Sequence, residues 1–203
     1  DKYGWENNGI IVAPATIDPY ILHRSVTKLL IAVTDELLDQ MFTESYQHTD
    51  VIFRSDAKKL LSFLQETCTC IIITNSDPAI VEKKLMTLLG KNHGLTLRGF
   101  AKKYDLDPMW NDVPETIQPK RFPRPVYLRR KAYGDILHSI GNIDAVIGDI
   151  YEMDLALPEA LGIPTILLTD QETPLWETAY YKHHSTGVAI RNLDDIFATR
   201  YLN

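Results

Sequence analysis

Apolar residues recur along this chain with two different periods, and the order of those periods predicts its fold. From Leu22 to Met41 they are spaced three and four positions apart, which indicates a helix over residues 19–42. Uninterrupted aliphatic runs, such as residues 71–73, indicate strands that are buried on both faces. A strand is predicted within residues 9–17, where Pro14 ends it near Ala13. Further strands are predicted at residues 68–73, 145–149, 165–170 and 184–192. Further helices are predicted at residues 57–66, 79–89, 128–141, 155–162 and 193–202.

Capping residues set the ends of several predicted helices. Ser55 or Asp56 caps the helix that begins at residue 57. Asp77 and Pro78 start the next helix, since proline is well tolerated in a first turn. Gly90 ends that helix as a C-cap.

This alternation of strands and helices predicts an α/β fold with a doubly wound parallel sheet, whose helices cover both faces. We assign residues 1–18 and 56–203 to that Rossmann-like core. Residues 19–55 form a small helical, cap-like insert. Residues 91–125 contain five prolines among aromatics and are predicted to be an irregular insert around one strand.

Composition and charge narrow the range of partners. The chain has 203 residues, of which 45% are hydrophobic and 24% are charged, and its net charge is −6. An acidic chain without a basic stripe argues against nucleic acid and anionic membranes as partners. No apolar run approaches the ~20 residues of a membrane span, and no signal peptide is evident, so we expect a cytoplasmic protein. Its oligomeric state is left open.

The two cysteines, Cys68 and Cys70, are separated by one residue. Alternation places both on one face of the predicted strand. The simpler interpretation is a pair of small buried thiols in a reducing cytosol. A metal or redox site is the alternative.

Candidate chemistry is concentrated after the strand at residues 145–149. Asp149 stands at the carboxyl end of that strand, and Asp154 follows before the next helix. Open α/β sheets bind ligands at the carboxyl ends of their strands. Two carboxylates there suit a hard cation, and we predict a Mg²⁺ site formed by Asp149 and Asp154.

Two further groups belong to the same pattern. Thr74, Asn75 and Ser76 follow the strand at residues 68–73, and a basic run that includes Arg130 and Lys131 opens the helix at residues 128–141. In order along the chain, these groups and the G-D-x-x-x-x-D element before Gly-Ile-Pro-Thr resemble the haloacid dehalogenase superfamily of phosphohydrolases. The resemblance covers residues 56–202.

The resemblance implies a role for each group. Thr74 would bind the transferring phosphoryl group, with Asn75 and Ser76 as adjacent substrate-binding residues. Lys131, or Arg130 in its place, would neutralise the phosphate and the nucleophile. The implied substrate is a small phosphorylated molecule, and the implied cofactor is Mg²⁺.

The first family motif is altered. The family ends its first strand in D-x-D, whose first aspartate attacks phosphorus and whose second acts as acid and base. Here the first strand runs IIVAPAT. Asp18, in D-P-Y, is the candidate nucleophile; Asp1, Asp35, an aspartate upstream, or none at all are the alternatives.

Each assignment has a purely structural alternative. Asp149 can serve as a helix cap, and Asp154 can complement a helix dipole. Residues 74–76 can be turn chemistry, and residues 129–131 a solvated basic face. The corresponding alternative functions are a catalytically silent relative that binds or regulates and, from the LPEALGIPTI segment, a nucleotide-sugar glycosyltransferase domain.

Overall fold

The structure is a computed structural model of the chain. It describes residues 33–34, 36–37, 40–41, 44, 52–171 and 173–199. The predicted first strand, Asp1, Asp18, Asp35 and most of the 19–55 insert lie outside the described residues. The predictions made for them stand as predictions.

The described residues form a mixed α/β arrangement in which short strands alternate with helices. The helices are α1 (Ala57–Thr67), α2 (Pro78–Leu89), α3 (Lys131–Ile140), α4 (Ala156–Ala160) and α5 (Leu175–Tyr181). The strands are β1 (Ile71–Ile73), β2 (Thr96–Arg98), β3 (Thr116–Ile117), β4 (Val126–Tyr127), β5 (Val146–Gly148), β6 (Thr165–Leu168) and β7 (Gly187–Ile190). A π-helical turn, Tyr151–Leu155, precedes α4, and a 3-10 helix, Leu193–Ala198, follows β7.

The ends of α2 follow from local chemistry, as the sequence predicts. The side chain of Asp77 accepts a hydrogen bond from the backbone N–H of Ala79 at 2.8 Å, and Pro78 occupies the first turn. Gly90 ends the helix in a left-handed conformation, with φ of 95°. Asp56 precedes α1 as predicted, but its carboxylate accepts from the backbone N–H of Leu193 at 2.8 Å and does not cap the helix.

Three sheets are present among the described residues. β1 and β2 pair in parallel, and β5, β6 and β7 form a parallel sheet in that order. β3 and β4 pair antiparallel. The β1–β2, β5–β6 and β6–β7 connections each contain a helix, which is the usual way to join parallel strands.

Helices cover both faces of β6. Leu167 belongs to the larger hydrophobic cluster, together with Leu137 of α3 and Leu157 of α4. Ile166 belongs to the smaller cluster, together with Leu60 of α1. Because successive strand residues point to opposite faces, the two clusters lie on opposite sides of the strand.

Several segments differ from their predictions. Cys68 and Cys70 precede β1 and are not part of the strand predicted at residues 68–73, and Cys68 is exposed where a buried thiol was predicted. The helix α5 lies in a stretch for which no helix was predicted.

The 91–125 segment contains two short strands where one was predicted, and its β2 is the parallel partner of β1. Three residues of mixed polarity give too short a pattern to be recognised as a strand. The helix predicted at residues 193–202 is a 3-10 helix whose described part ends at Ala198, closed at its start by a capping box between Asn192 and Asp195.

No helix in the described part of the chain has the length and apolar character to cross a membrane.

Candidate functional site

The two predicted metal ligands meet at the carboxyl end of β5. Asp149 follows Gly148 directly, and Asp154 lies in the π-helical turn that folds back over the strand end. A Cβ on Gly148 would lie 2.4 Å from the Cβ of Asp154, which is closer than two non-bonded carbon atoms approach. Glycine is therefore what allows Asp154 to pack against the strand end beside Asp149.

The two carboxyl groups interact directly. Their negative charges repel each other at short range. Desolvation of the Asp149 carboxyl and the negative charge of Asp154 raise the pKa of Asp149, although the residue itself lies at the surface. The backbone N–H of Ile150 also donates to Asp154, at 3.2 Å.

Lys103 supplies the positive charge at this site. Its Nζ lies 2.7 Å from Oδ1 of Asp154, and the side chains are only 11% and 14% exposed. The same ammonium lies 4.9 Å from the ring centroid of Tyr133, a cation–π distance. The hydroxyl of Tyr133 donates to the backbone carbonyl of Asp154 at 2.8 Å, so the ring is fixed to the same turn.

Lys103 also connects the acid pair to the turn after β1. Its backbone N–H donates to Oδ1 of Asn75 at 2.8 Å. In the same turn, the backbone N–H of Ser76 donates to Oγ1 of Thr74 at 3.1 Å. The predicted phosphate-binding turn and the predicted metal ligands are thus joined through one residue.

Arg130 contacts the backbone of the loop that contains Lys103. It is fully buried, and its guanidinium donates to the backbone carbonyl of Lys103. The structure therefore shows it supporting the Lys103 loop. Its predicted contact with substrate stays a prediction.

Lys131 lies in a different environment. Its Nζ is 2.5 Å from Oδ2 of Asp135, one helical turn along α3, and the side chains are 46% and 55% exposed. That hydrogen bond raises the pKa of Lys131. Within the described part of the chain, Lys131 makes no contact with Asp149 or Asp154 that the structure gives. Its predicted role in neutralising the phosphate and the nucleophile stays a prediction.

Sequence reasoning missed Lys103. It lies in the 91–125 segment, in a loop without periodicity, and one lysine of a Lys-Lys pair is an ordinary surface feature. Only its burial, 8% exposed, marks it as different from its neighbour. The strand that precedes it, β2, is itself too short to be recognised from the sequence, so no local signal indicated Lys103.

Two other acids lie close to the pair. Glu152 is buried and forms an ion pair with the buried Arg124. Glu177 of α5 is 3% exposed and accepts from the backbone N–H of Tyr151 at 3.4 Å. Burial, together with the charges of Glu152, Asp149 and Asp154, raises the pKa of Glu177 to about 7.

The donor set of Asp149 and Asp154 fits a hard divalent cation. Mg²⁺ usually takes one or two carboxylates and keeps several waters. Asp149 and Asp154 are neighbouring carboxylates whose charges repel each other, and a bound cation would relieve that repulsion. Within the described residues, no group of three or more His, Cys, Asp or Glu side chains is arranged to hold a metal ion.

No family model, no curated protein and no solved structure matches this chain.

Proposed function

We propose that this chain is a Mg²⁺-dependent phosphohydrolase, similar to the haloacid dehalogenase superfamily, that acts on a small phosphorylated metabolite. The observation that carries the proposal is the contact of Lys103 with Asp154 at 2.7 Å beside Asp149, at the carboxyl end of a parallel strand. Such an end is where α/β sheets bind ligands. An acid pair with one buried cation is suited to hold a metal ion and an anion together.

The acidic residues of the site would bind the metal ion, and the lysine and the threonine would bind the phosphate. Asp149 and Asp154 would hold Mg²⁺, which when bound would neutralise phosphate charge and orient the substrate. The Lys103 ammonium would bind a non-bridging phosphate oxygen, because it is a compact charge already fixed by Asp154 and the Tyr133 ring. Thr74 would bind the same group through its hydroxyl. The nucleophile is proposed to be Asp18.

We further propose that the two parallel sheets belong to one doubly wound sheet. Ile73 of β1 packs on the larger hydrophobic cluster, which also receives Val146 of β5. Cys70, just before β1, packs on the smaller cluster, which also receives Ala145. Residues at β1 and at β5 therefore pack on the same two hydrophobic clusters, one on each face of the sheet. We also propose a cytoplasmic location, where an exposed thiol such as that of Cys68 would stay reduced.

The test is hydrolysis of p-nitrophenyl phosphate by the full chain, with and without Mg²⁺. We expect turnover that requires Mg²⁺ and is lost, by about 100-fold or more, in Asp149→Asn. Asp144→Asn is the matched control, because Asp144 is exposed and lies before β5. Calorimetry should show Mg²⁺ binding that Asp149→Asn weakens and Asp144→Asn does not. Equal turnover in both variants would remove Asp149 from the mechanism.

One observation favours a catalytically silent relative as the second candidate. The ammonium of Lys103 already neutralises Asp154, so this carboxylate has a partner without any ligand. A silent domain would bind Mg²⁺ or phosphate and hydrolyse none of a panel of phosphorylated metabolites. Turnover that survives Asp18→Asn but not Asp149→Asn would instead indicate another nucleophile.

A further inference from the structure

A cavity of about 270 Å³ lies at the amino ends of β1 and β2. Its lining comes from the end of α1, from the residues just before β1 and from the loop that leads into β2. Cys70 directly precedes β1, whereas Thr74 of the predicted phosphate-binding turn follows the same strand. The cavity is therefore separated from the acid pair and its turn by the length of the strand.

Both cysteines of the chain line this cavity. The thiol of Cys68 donates to the backbone carbonyl of Leu64, with 3.4 Å between sulfur and oxygen, so it is held at the last turn of α1. Cys70 is half-buried and packs on the smaller hydrophobic cluster, to which Leu64 also belongs. The two thiols thus lie next to the same residue and share one cavity.

The protonation of Cys70 indicates which chemistry suits the pair. Desolvation, together with the charge of the neighbouring Cys68, raises the pKa of Cys70 to about 11. A thiol of this kind is a poor nucleophile at neutral pH, because the thiolate is the reactive form. A metal ion with high affinity for sulfur displaces the proton and relieves the repulsion between two thiolates.

The separation of the cysteines suits a bridging ion better than a disulfide. The backbone of Cys68 is extended, with φ of −151° and ψ of 168°. Two residues of extended chain advance by about 6.6 Å, at the upper end of the Cα separations that disulfides span. Two sulfur atoms bound in line to one metal ion lie about 4.6 Å apart, twice a metal–thiolate bond of about 2.3 Å. An ion therefore requires less approach of the sulfur atoms than a covalent bond.

His93 also lines the cavity, but both of its ring nitrogens are engaged. The backbone N–H of Leu95 donates to Nδ1 at 3.2 Å, and Nε2 lies 3.1 Å from Oε1 of Glu82. The bond from Leu95 requires that Nδ1 carries no proton, so Nε2 is the donor to Glu82. The imidazole is thus fixed as a structural group, and the thiols are left as the ligands.

Two thiolates select the kind of cation. In the part of the chain that the structure describes, no three His, Cys, Asp or Glu side chains are grouped to hold a metal ion. Structural Zn²⁺ requires four ligands, whereas soft Cu⁺ prefers thiolates and is satisfied by two of them in line. Cys68 is the C-cap of α1, and the negative end of a helix dipole favours a positive charge there.

We propose that Cys68 and Cys70 form a binding site for a soft monovalent cation of the Cu⁺ class, held between two thiolates. Binding forms two metal–sulfur bonds and releases two thiol protons to water, so it needs no oxidant. Cys68 is exposed and gives the ion access from solvent, and Cys70 completes the site. This site goes beyond the proposed hydrolase function and does not depend on it.

The test is competition for Cu⁺ between the full chain and the coloured chelator bicinchoninate, without oxygen and with ascorbate present. We expect wild type to take up one Cu⁺ per chain. Cys68→Ser and Cys70→Ser should each lower the affinity by more than the roughly 10- to 100-fold that loss of an outer-shell partner costs. Met109→Leu is the matched control, because it removes an 81% exposed sulfur atom elsewhere and should leave the affinity unchanged.

Urea midpoints establish that each variant folds, and Cys68→Ser decides the matter if Cys70→Ser does not, since Cys68 is exposed. X-ray absorption at the copper edge should show two sulfur neighbours and no nitrogen. Uptake that Cys68→Ser leaves unchanged, a nitrogen ligand, tighter binding of Zn²⁺ than of Cu⁺, or a Cu⁺-linked dimer of two chains would each overturn the proposal. Phosphatase activity is not a readout here, so the hydrolase proposal stands or fails by its own test.

Discussion

The loop after β2 and the first turn of α3 each present a lysine to an aspartate, and the two pairs have similar lengths. Nζ of Lys103 lies 2.7 Å from Asp154, and Nζ of Lys131 lies 2.5 Å from Asp135. Their surroundings differ. The first pair is 11% and 14% exposed, under a tyrosine ring, whereas the second is 46% and 55% exposed on a helix surface.

The difference shows that burial, and not distance, decides what an ion pair contributes. An exposed pair on a helix gains little, because water screens it and two long side chains lose freedom. A lysine held away from water has lost its hydration. Removing its partner therefore leaves the ammonium uncompensated, and removing the lysine leaves the two neighbouring carboxylates uncompensated. The Lys103 pair is therefore where substitution should matter.

The largest effect is expected from Lys103→Met. Methionine keeps most of the side-chain volume but leaves Asp149 and Asp154 facing each other without the ammonium. We expect the free energy of unfolding at pH 7 to fall by about 3 kcal/mol, measured by urea denaturation. The double variant Lys103→Met/Asp154→Asn should recover part of the loss. A single variant as stable as wild type would show that the pair is effectively solvated.

The next largest effect on stability is expected from a substitution of Glu177, a buried acid whose charged neighbours are also acids. Glu177 has a pKa raised from 4.5 to about 7, so the folded chain holds a proton there that the unfolded chain releases. Stability is therefore lost as pH rises from about 4.5 to about 7, and this cost stays in place above that range. Glu177→Gln removes it.

We expect Glu177→Gln to match wild type near pH 4 and to be more stable by up to about 3 kcal/mol at pH 8, measured by urea denaturation at both pH values. Glu66→Gln is the control, because Glu66 is exposed on α1. An equal difference between wild type and Glu177→Gln at both pH values would mean that the ionisation of Glu177 is not the cause.

The smallest effect is expected from Lys131→Met. We expect no measurable change in the urea midpoint, because the i,i+4 pair with Asp135 is exposed to water. Phosphatase activity measured on the same variant sharpens the comparison. Full activity would leave Lys103 as the cation of the site, whereas a large loss with the fold intact would restore the role that the family resemblance gives to Lys131.

Local sequence patterns were sufficient for most of the regular elements. The aliphatic run at residues 71–73 is a strand, the Asp77–Pro78 start and the Gly90 end of α2 are as predicted, and β5 and β6 lie where their apolar runs indicate. These features depend on contacts within one or two turns of chain. They can be predicted because the chemistry that forms them is contained in a short window.

Short strands and helix type depend on partners distant in sequence. β2 has three residues of mixed polarity and exists because it pairs with β1. The π-helical turn before α4 places Asp154 over Gly148, which the helical spacing alone does not indicate. A segment of this length has no periodicity of its own, so tertiary contacts determine its conformation.

The sequence by itself determined the acid pair, since Asp149 and Asp154 follow a strand and share one turn of chain. Only the tertiary structure decided which cation faces them. Lys103 and Lys131 have the same side chain, and what separates them is that Arg130, Asn75 and the Tyr133 ring hold one of them out of water. The burial of a side chain depends on the whole fold, so the sequence around either lysine does not indicate which of the two is buried.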